Sequence, residues 1–208
     1  MNIPSGVEAV VPAPGHGFDT EIELRKGVAS EAEDIHLLIL ANLEVGHLLP
    51  RTLSELTVYA HRFTVANREG RIVACAELAP LSRTVAEIRS LVVEDGKRGS
   101  GLGRLIVTDL RRRARHEGFE TLCAFTHNPA YFVRLGFSIV PHFWLPEKIS
   151  TDCWRCPLFQ RCGQYAMVDH LGSPARPLPP QPHATTQPCV VGAPERAGTR
   201  ASGTPAPV

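Results

Sequence analysis

Between residues 22 and 170 the apolar positions follow two spacings. Runs of strand length, alternating or continuously apolar, occur at IELRKGV (22–28), FTVAN (63–67), RIVACAELA (71–79), VAEIRSLVV (85–93), ETLCAFT (120–126), SIV (138–140) and YAMV (165–168). Helical spacing links Ile35, Leu38, Ile39 and Val45, then Leu53, Leu56 and Tyr59, then Leu105, Ile106 and Leu110, and PAYFVR reads as a further short helix. Ser30 with Glu33, and Thr52 with Glu55, form capping boxes. Gly46 and Gly118 stand where two of the helices end, and NREG joins FTVAN to RIVACAELA as a hairpin turn. The order is strand, two helices, two or three antiparallel strands, helix, strand, helix, strand. It predicts an α/β (α+β) domain over residues 20–170, with a mixed, mostly antiparallel central sheet flanked by helices. It is not the strict alternation of a doubly wound dinucleotide fold.

Composition changes this picture only at the ends. Residues 171–208 hold nine of the eighteen prolines and no aromatic residue, and cannot bury enough apolar surface to offset their conformational entropy. A disordered tail is expected there, and a disordered arm over residues 1–19. The net charge of +1 argues against a nucleic-acid partner. No apolar run reaches membrane-spanning length, and MNIPSGVEAVVPAPGHG lacks the plan of a secretory signal, so a cytoplasmic protein without a membrane partner is expected. In that compartment the six cysteines are expected as thiols or metal ligands.

Chemistry enters at KRGSGLGR (97–104), two residues after the strand SLVVE and at the head of a helix. The G-x-G-x-x-G pattern fails at Arg104, and no G-x-x-x-x-G-K-[ST] is present. What remains is Arg98-x-x-Gly101-x-Gly103, where successive N–H groups and the helix N-terminus can converge on an anion and glycines let the main chain approach it.

LVVEDGKRGSGLGRLIV resembles the acetyl-CoA motif of the GNAT acetyltransferase superfamily, and FTHNPAYFVRLGF is similar to its second signature. The resemblance implies the GNAT fold, N-acetyltransferase activity and acetyl-CoA as donor. The diphosphate is then expected on Arg98, Gly99, Ser100, Gly101, Leu102, Gly103 and Arg104. The acetyl and pantetheine parts are expected along Leu91, Val92 and Val93, with Asn128 and Phe132 opposite. The superfamily's usual acid, a Tyr four residues before the Gly of Gly-Phe, is here Phe132, with Tyr131 beside it. Either the thiolate leaves unassisted, or Tyr131, Ser90 or a water supplies the proton. Glu87 is the candidate base, acting through water; its other reading is an ion pair with Arg89.

LEVGHLLPRTLSELTVYAHRFTVANREGRIVACAELAPL, AEIRSLVV and LPEKISTDCWRCPLFQRCGQYAM resemble bacterial N-acetylglutamate synthases, in particular the short, stand-alone members. This implies a small-molecule amine as partner, glutamate, and the first step of arginine biosynthesis. A dicarboxylate calls for guanidinium forks, and Arg51 and Arg89 are the candidates, with Lys148 or Arg161 as helpers. The alternatives are the same fold acting on another small amine or a protein N-terminus, or a non-catalytic acetyl-CoA sensor. Oligomeric state stays open. Cys153-x-x-Cys156-x5-Cys162 can chelate zinc together with His142, but a single C-x-x-C reads rather as reduced thiols, and no metal is assigned. Arg111, Arg112, Arg113 and Arg115 read as a solvated helix face.

Overall fold

The computed structural model describes residues 22–46 and 48–172. The arm expected over residues 1–19 lies outside the described residues, as does the proline-rich tail apart from Leu171 and Gly172, and the side chain of Val45. Seven strands form one sheet: β1 (Glu23–Lys26), β2 (Phe63–Arg68), β3 (Arg71–Pro80), β4 (Val85–Val93), β5 (Thr121–Thr126), β6 (Ser138–Val140) and β7 (Tyr165–His170). Their spatial order is β1-β2-β3-β4-β5-β7-β6, antiparallel throughout except for β4 beside β5. The helices are α1 (Ala32–Leu40), α2 (Leu43–Gly46), α3 (Leu53–Tyr59), α4 (Leu102–His116), α5 (Pro129–Arg134) and α6 (Pro146–Thr151). Among the described residues no helix is long and apolar enough to cross a membrane.

Alternation along the strands sorts the core into two faces. On one face α4 buries Leu102, Ile106, Val107, Leu110 and Ala114 against Ala76 and Leu78 of β3, Ala86 and Ile88 of β4, and Leu122 and Ala124 of β5. The opposite face is covered in two separate places. α1 and α3 pack Ile35, Ile39 and Leu56 on Phe63, Val65, Cys75 and Val92. Farther along the sheet, Val85, Cys123, Val140, Leu145, Ala166 and Val168 form a third cluster. Between those two coverings the same face carries charged residues instead of apolar ones.

Two helix boundaries differ from expectation, for local reasons. The helix expected to run from Ile35 to Gly46 breaks after Leu40, because the Asn42 side-chain amide donates to the Leu38 carbonyl (2.8 Å) and satisfies the last turn where it stands. The expected Ser30–Glu33 capping box is replaced by Glu31, which accepts from the Val28 N–H (3.0 Å) and is gripped by the Arg25 guanidinium. The second box forms as read, with Glu55 N–H donating to Thr52 Oγ1 (3.2 Å). The run of arginines on α4 is only partly solvated. Arg113 is 6% exposed and donates to Thr64 Oγ1 (2.8 Å) and the Arg62 carbonyl (3.2 Å). Arg111 bonds Asp169 (2.5 Å) and the Leu135 carbonyl (2.7 Å).

Cys75 and Cys123 lie in the core as neutral thiols. Burial pushes Cys75 up to about 12, and burial with the nearby Glu87 carboxylate pushes Cys123 upward as well. A folded pKa above the unfolded one gives stability that is complete below the unfolded value and lost as pH rises towards the folded one. Each thiol is therefore expected to withdraw roughly 1–2 kcal/mol of stability by pH 10, the unfolded thiol ionising from about pH 8.5. Urea midpoints at pH 7.5 and 10 check this. Wild type should lose stability more steeply than the Cys75→Ala, Cys123→Ala double variant, and parallel losses would contradict it.

Candidate active site

The site begins where β4 and β5 part. They pair from Val85↔Thr121 to Ile88↔Ala124, after which β4 runs on to Val93 and β5 to Thr126 without further pairing between them. Ser90 explains part of the divergence. Its φ of +50° puts it in the left-handed region, and the β3–β4 register slips between Cys75 and Glu77 beside it. That is a bulge, which bends the strand away from its neighbour. The main chain of Leu91–Val93 therefore meets the opening on its β5 side, while Val92 and Val93 still pair with Cys75 and Ala74 on the other.

β4 leads into the glycine loop. Gly96, Gly99 and Gly101 all have positive φ, with Gly101, at +89°, capping α4. A Cβ on Gly99 or Gly101 would meet no described atom within 4 Å, so what calls for glycine at these positions is the backbone angle and the open space above it. The first bond within α4 runs from Leu105 N–H to the Gly101 carbonyl (3.0 Å), leaving the N–H groups of Leu102, Gly103 and Arg104 with no helical partner. Arg98 ties the loop down by donating to Asn42 Oδ1 (2.6 Å), and Ser100 Oγ donates to the Lys97 carbonyl (2.5 Å). Together these form a basic, glycine-lined N-terminus suited to a diphosphate. Leu102 itself is turned into the core.

Gly103 has a different reason to be glycine. A Cβ there would stand 2.6 Å from Tyr131 Oη and 3.6 Å from a Val93 methyl. Tyr131, on α5, thus lays its hydroxyl against the first turn of α4. The hydroxyl is buried without a hydrogen-bond partner among the described residues, and burial raises its pKa above the usual 10, so it is a protonated donor. Phe132 is a core residue, 6% exposed, set edge-on between Tyr131 (5.3 Å) and Phe137 (5.2 Å). Asn128 is exposed at the head of α5, its N–H donating to Thr126 Oγ1 (3.0 Å).

On the sheet face opposite α4, Glu77 and Arg89 stand directly across from one another in the β3–β4 register, and Glu87 lies two residues from Arg89 on the same face. Arg51 reaches them from the loop before α3. Its guanidinium lies 2.8 Å from buried Glu77 and 2.9 Å from Glu55, and donates to Ser90 Oγ (3.3 Å). Arg51 Nε is buried with no acceptor among the described residues. Arg62 approaches Glu77 at 3.9 Å. Alongside, Arg89 Nε donates to Glu87 (2.7 Å), and Lys148 on α6 donates to both Glu87 oxygens (2.8 Å each) and to Asp152 (2.8 Å). Arg89 also binds Asp152. Burial alone would lower the Arg89 pKa, but the Glu87, Asp152 and Glu77 carboxylates together more than offset it and the net direction is upward.

The structure thus gathers the sequence candidates into two neighbouring groups. The main chain of Leu91 to Val93 and of the Arg98–Arg104 loop, with Tyr131 against Gly103, forms one group at the opening, and Arg51, Glu87, Arg89 and Ser90 share the charged face. Lys148 joins them, while Arg161 stands apart on an exposed turn (Phe159–Arg161). Glu87 is engaged by two cations, so its ion-pair reading describes its state here. Asn42, Glu77 and Asp152 are the residues that sequence reasoning passed over. Of these only Glu77 left a signal, an acid in the otherwise apolar run RIVACAELA. Cys153, Cys156 and Cys162 are free thiols, and among the described residues no group of three or more His, Cys, Asp or Glu is placed to hold a metal.

A profile of the acetyltransferase (GNAT) family matches residues 37–137. An uncharacterised N-acetyltransferase from Chlorobaculum tepidum is 32% identical over 126 residues, 61% of this chain and 81% of that one. An amino-acid acetyltransferase from Shewanella oneidensis is 31% identical over 127 residues, 60% of this chain and 28% of that one, so the match spans little more than a quarter of that relative. Among solved structures, N-acetylglutamate synthase from Neisseria gonorrhoeae, complexed with coenzyme A and N-acetyl-glutamate, superimposes with a TM-score of 0.66 at 23% identity, covering 76% of this chain and 36% of that one. A Mycobacterium tuberculosis protein in complex with CoA gives 0.61 at 23% identity, covering 71% and 98%.

Proposed function

The chain belongs to the GNAT acetyltransferase family and is an N-acetyltransferase, and from that premise we propose that it moves the acetyl group of acetyl-CoA to the α-amine of L-glutamate, in the cytoplasm, as the first step of arginine biosynthesis. The observation that carries the choice of acceptor is the convergence of Arg51, Arg89 and Lys148 on one sheet face beside the parted strands. Two carboxylates on a small amine are what such a set of forks and ammonium recognises. The buried Nε of Arg51, without an acceptor among the described residues, adds a further donor.

Acetyl-CoA supplies the thioester, and the chain's own groups supply the rest. First-turn amides of α4 and the Arg98–Gly101 loop hold the diphosphate. A β4 N–H from Leu91–Val93 donates to the acetyl oxygen as it gains charge, which lowers the barrier by about 3 kcal/mol on the scale of one oxyanion donor. Glu87 takes the amine proton through water, and the leaving thiolate departs unassisted or is protonated by Ser90 or water. Tyr131 lies at the diphosphate end of the opening, beside Gly103, which favours a cofactor hydrogen bond over proton donation to sulfur.

Coenzyme A release measured with a panel of amino acids tests the reaction. Selective turnover of glutamate is expected. Turnover confined to other amines would replace the acceptor, and cofactor binding without turnover would replace catalysis with sensing. Tyr131→Phe is expected to raise KM for acetyl-CoA about tenfold, as loss of one buried hydrogen bond does, with kcat within threefold. A large fall in kcat at unchanged KM would assign Tyr131 to proton transfer instead.

A further inference from the structure

We propose that Asp152 is a built-in stand-in for a substrate carboxylate: it neutralises Arg89 and Lys148 while the acceptor is absent and gives way when the acceptor binds. The inference rests on the dicarboxylate reading above. The two cations each face two carboxylates, and these are not equivalent. Glu87 is anchored in the central strand, its side chain 4% exposed, and takes Lys148 through both oxygens and Arg89 through Oε2. Asp152 is 34% exposed and meets Arg89 and Lys148 through Oδ2 alone. It also ends a six-residue helix, with irregular angles (φ −123°, ψ −46°). One carboxylate is therefore fixed and buried, and the other is end-on, solvent-facing and carried by the end of a short helix.

Charge gives the reason for an exchange. Arg51, Arg62, Arg89 and Lys148 face Glu55, Glu77, Glu87 and Asp152, so positive and negative groups cancel. An incoming carboxylate can gain these cations only if one of their present counter-ions withdraws. Asp152 can turn into water without burying or stranding a charge, whereas Glu87 cannot. The substrate carboxylate can bring two oxygens where Asp152 uses one, so the exchange favours the acceptor once it is close. This device sets the acceptor's KM and keeps the two cations paired between turnovers.

The test compares wild type with Asp152→Asn, Asp152→Ser and Asp152→Glu at saturating acetyl-CoA. The readouts are KM for glutamate and the inhibition constant of glutarate, a dicarboxylate without the amine. Removing the competing charge is expected to lower both constants about fivefold in the Asn and Ser variants, the scale of one part-exposed ion pair. KM for acetyl-CoA should stay within twofold. Asp152→Glu, which keeps the charge, should stay near wild type. Thermal melts confirm that each variant is folded. Unchanged or raised constants in both neutral variants would overturn the inference and leave the glutamate reading standing. A wild-type enzyme that ignores glutamate, and that glutarate does not inhibit, would remove the reading and the inference together.

Discussion

Gly101→Val is expected to weaken coenzyme A binding by about two orders of magnitude or more while costing the fold comparatively little. Gly101 caps α4 at φ +89°, where a β-branched residue is a conformational outlier, a strain of about 1–2 kcal/mol. A Cβ there meets no described atom within 4 Å. The valine branches would instead fill the volume in front of the Leu102, Gly103 and Arg104 amides, where the diphosphate must lie. Losing two charge-assisted hydrogen bonds costs about 3 kcal/mol or more, which is a hundredfold or more in affinity. Calorimetric titration with coenzyme A reads the effect. Gly70→Val is the control: Gly70 has φ +78° at the tip of the β2–β3 hairpin and likewise has no described neighbour within 4 Å of a Cβ, so the variant carries the same strain and should bind coenzyme A normally. Equal affinities in the two variants would reduce the loop to a mere turn.

Arg51→Ala is expected to lose about 3 kcal/mol of stability, since it removes one member of a buried pair and strands the other. Glu77 is 1% exposed, Arg51 is its close partner at 2.8 Å, and Arg62 at 3.9 Å is too far to replace it. For a domain of this size that is a fall of roughly 10 °C in Tm. The same substitution should raise KM for glutamate by up to about a hundredfold, one bidentate carboxylate contact being worth up to about 3 kcal/mol, and barely change KM for acetyl-CoA. The two effects can be separated. Arg51→Met with Glu77→Gln removes both charges and should recover most of the stability without restoring glutamate binding. Recovery of both would make Arg51 a purely structural residue.

The fold was largely legible because its strands and helices carry their periods openly. VAEIRSLVV became β4 over Val85–Val93, and Thr52 capped α3 through Glu55 as the spacing required. The glycine loop was legible because glycine is costly where nothing demands it. What stayed hidden was long-range pairing. Arg89 stood out as a cation in a central strand, but Lys148 lies 61 residues from Glu87, and Asp152 lies 63 from Arg89. No local pattern reports such partners. Nor did anything in Ile88-Arg89-Ser90-Leu91 announce the positive φ at Ser90 that bulges the strand and opens the site. Arg113 shows the opposite failure. It follows Leu102, Ile106 and Leu110 at helical spacing on their face, and the period was the better guide than its membership of a charge run.

A crystal of the protein grown with coenzyme A tests the central claim most directly. The account predicts the diphosphate on the amides of the Arg98–Arg104 loop, with the pantetheine arm entering between β4 beyond Ile88 and β5 beyond Ala124. Coenzyme A bound elsewhere, with that loop bare and the strands closed over the gap, would contradict it.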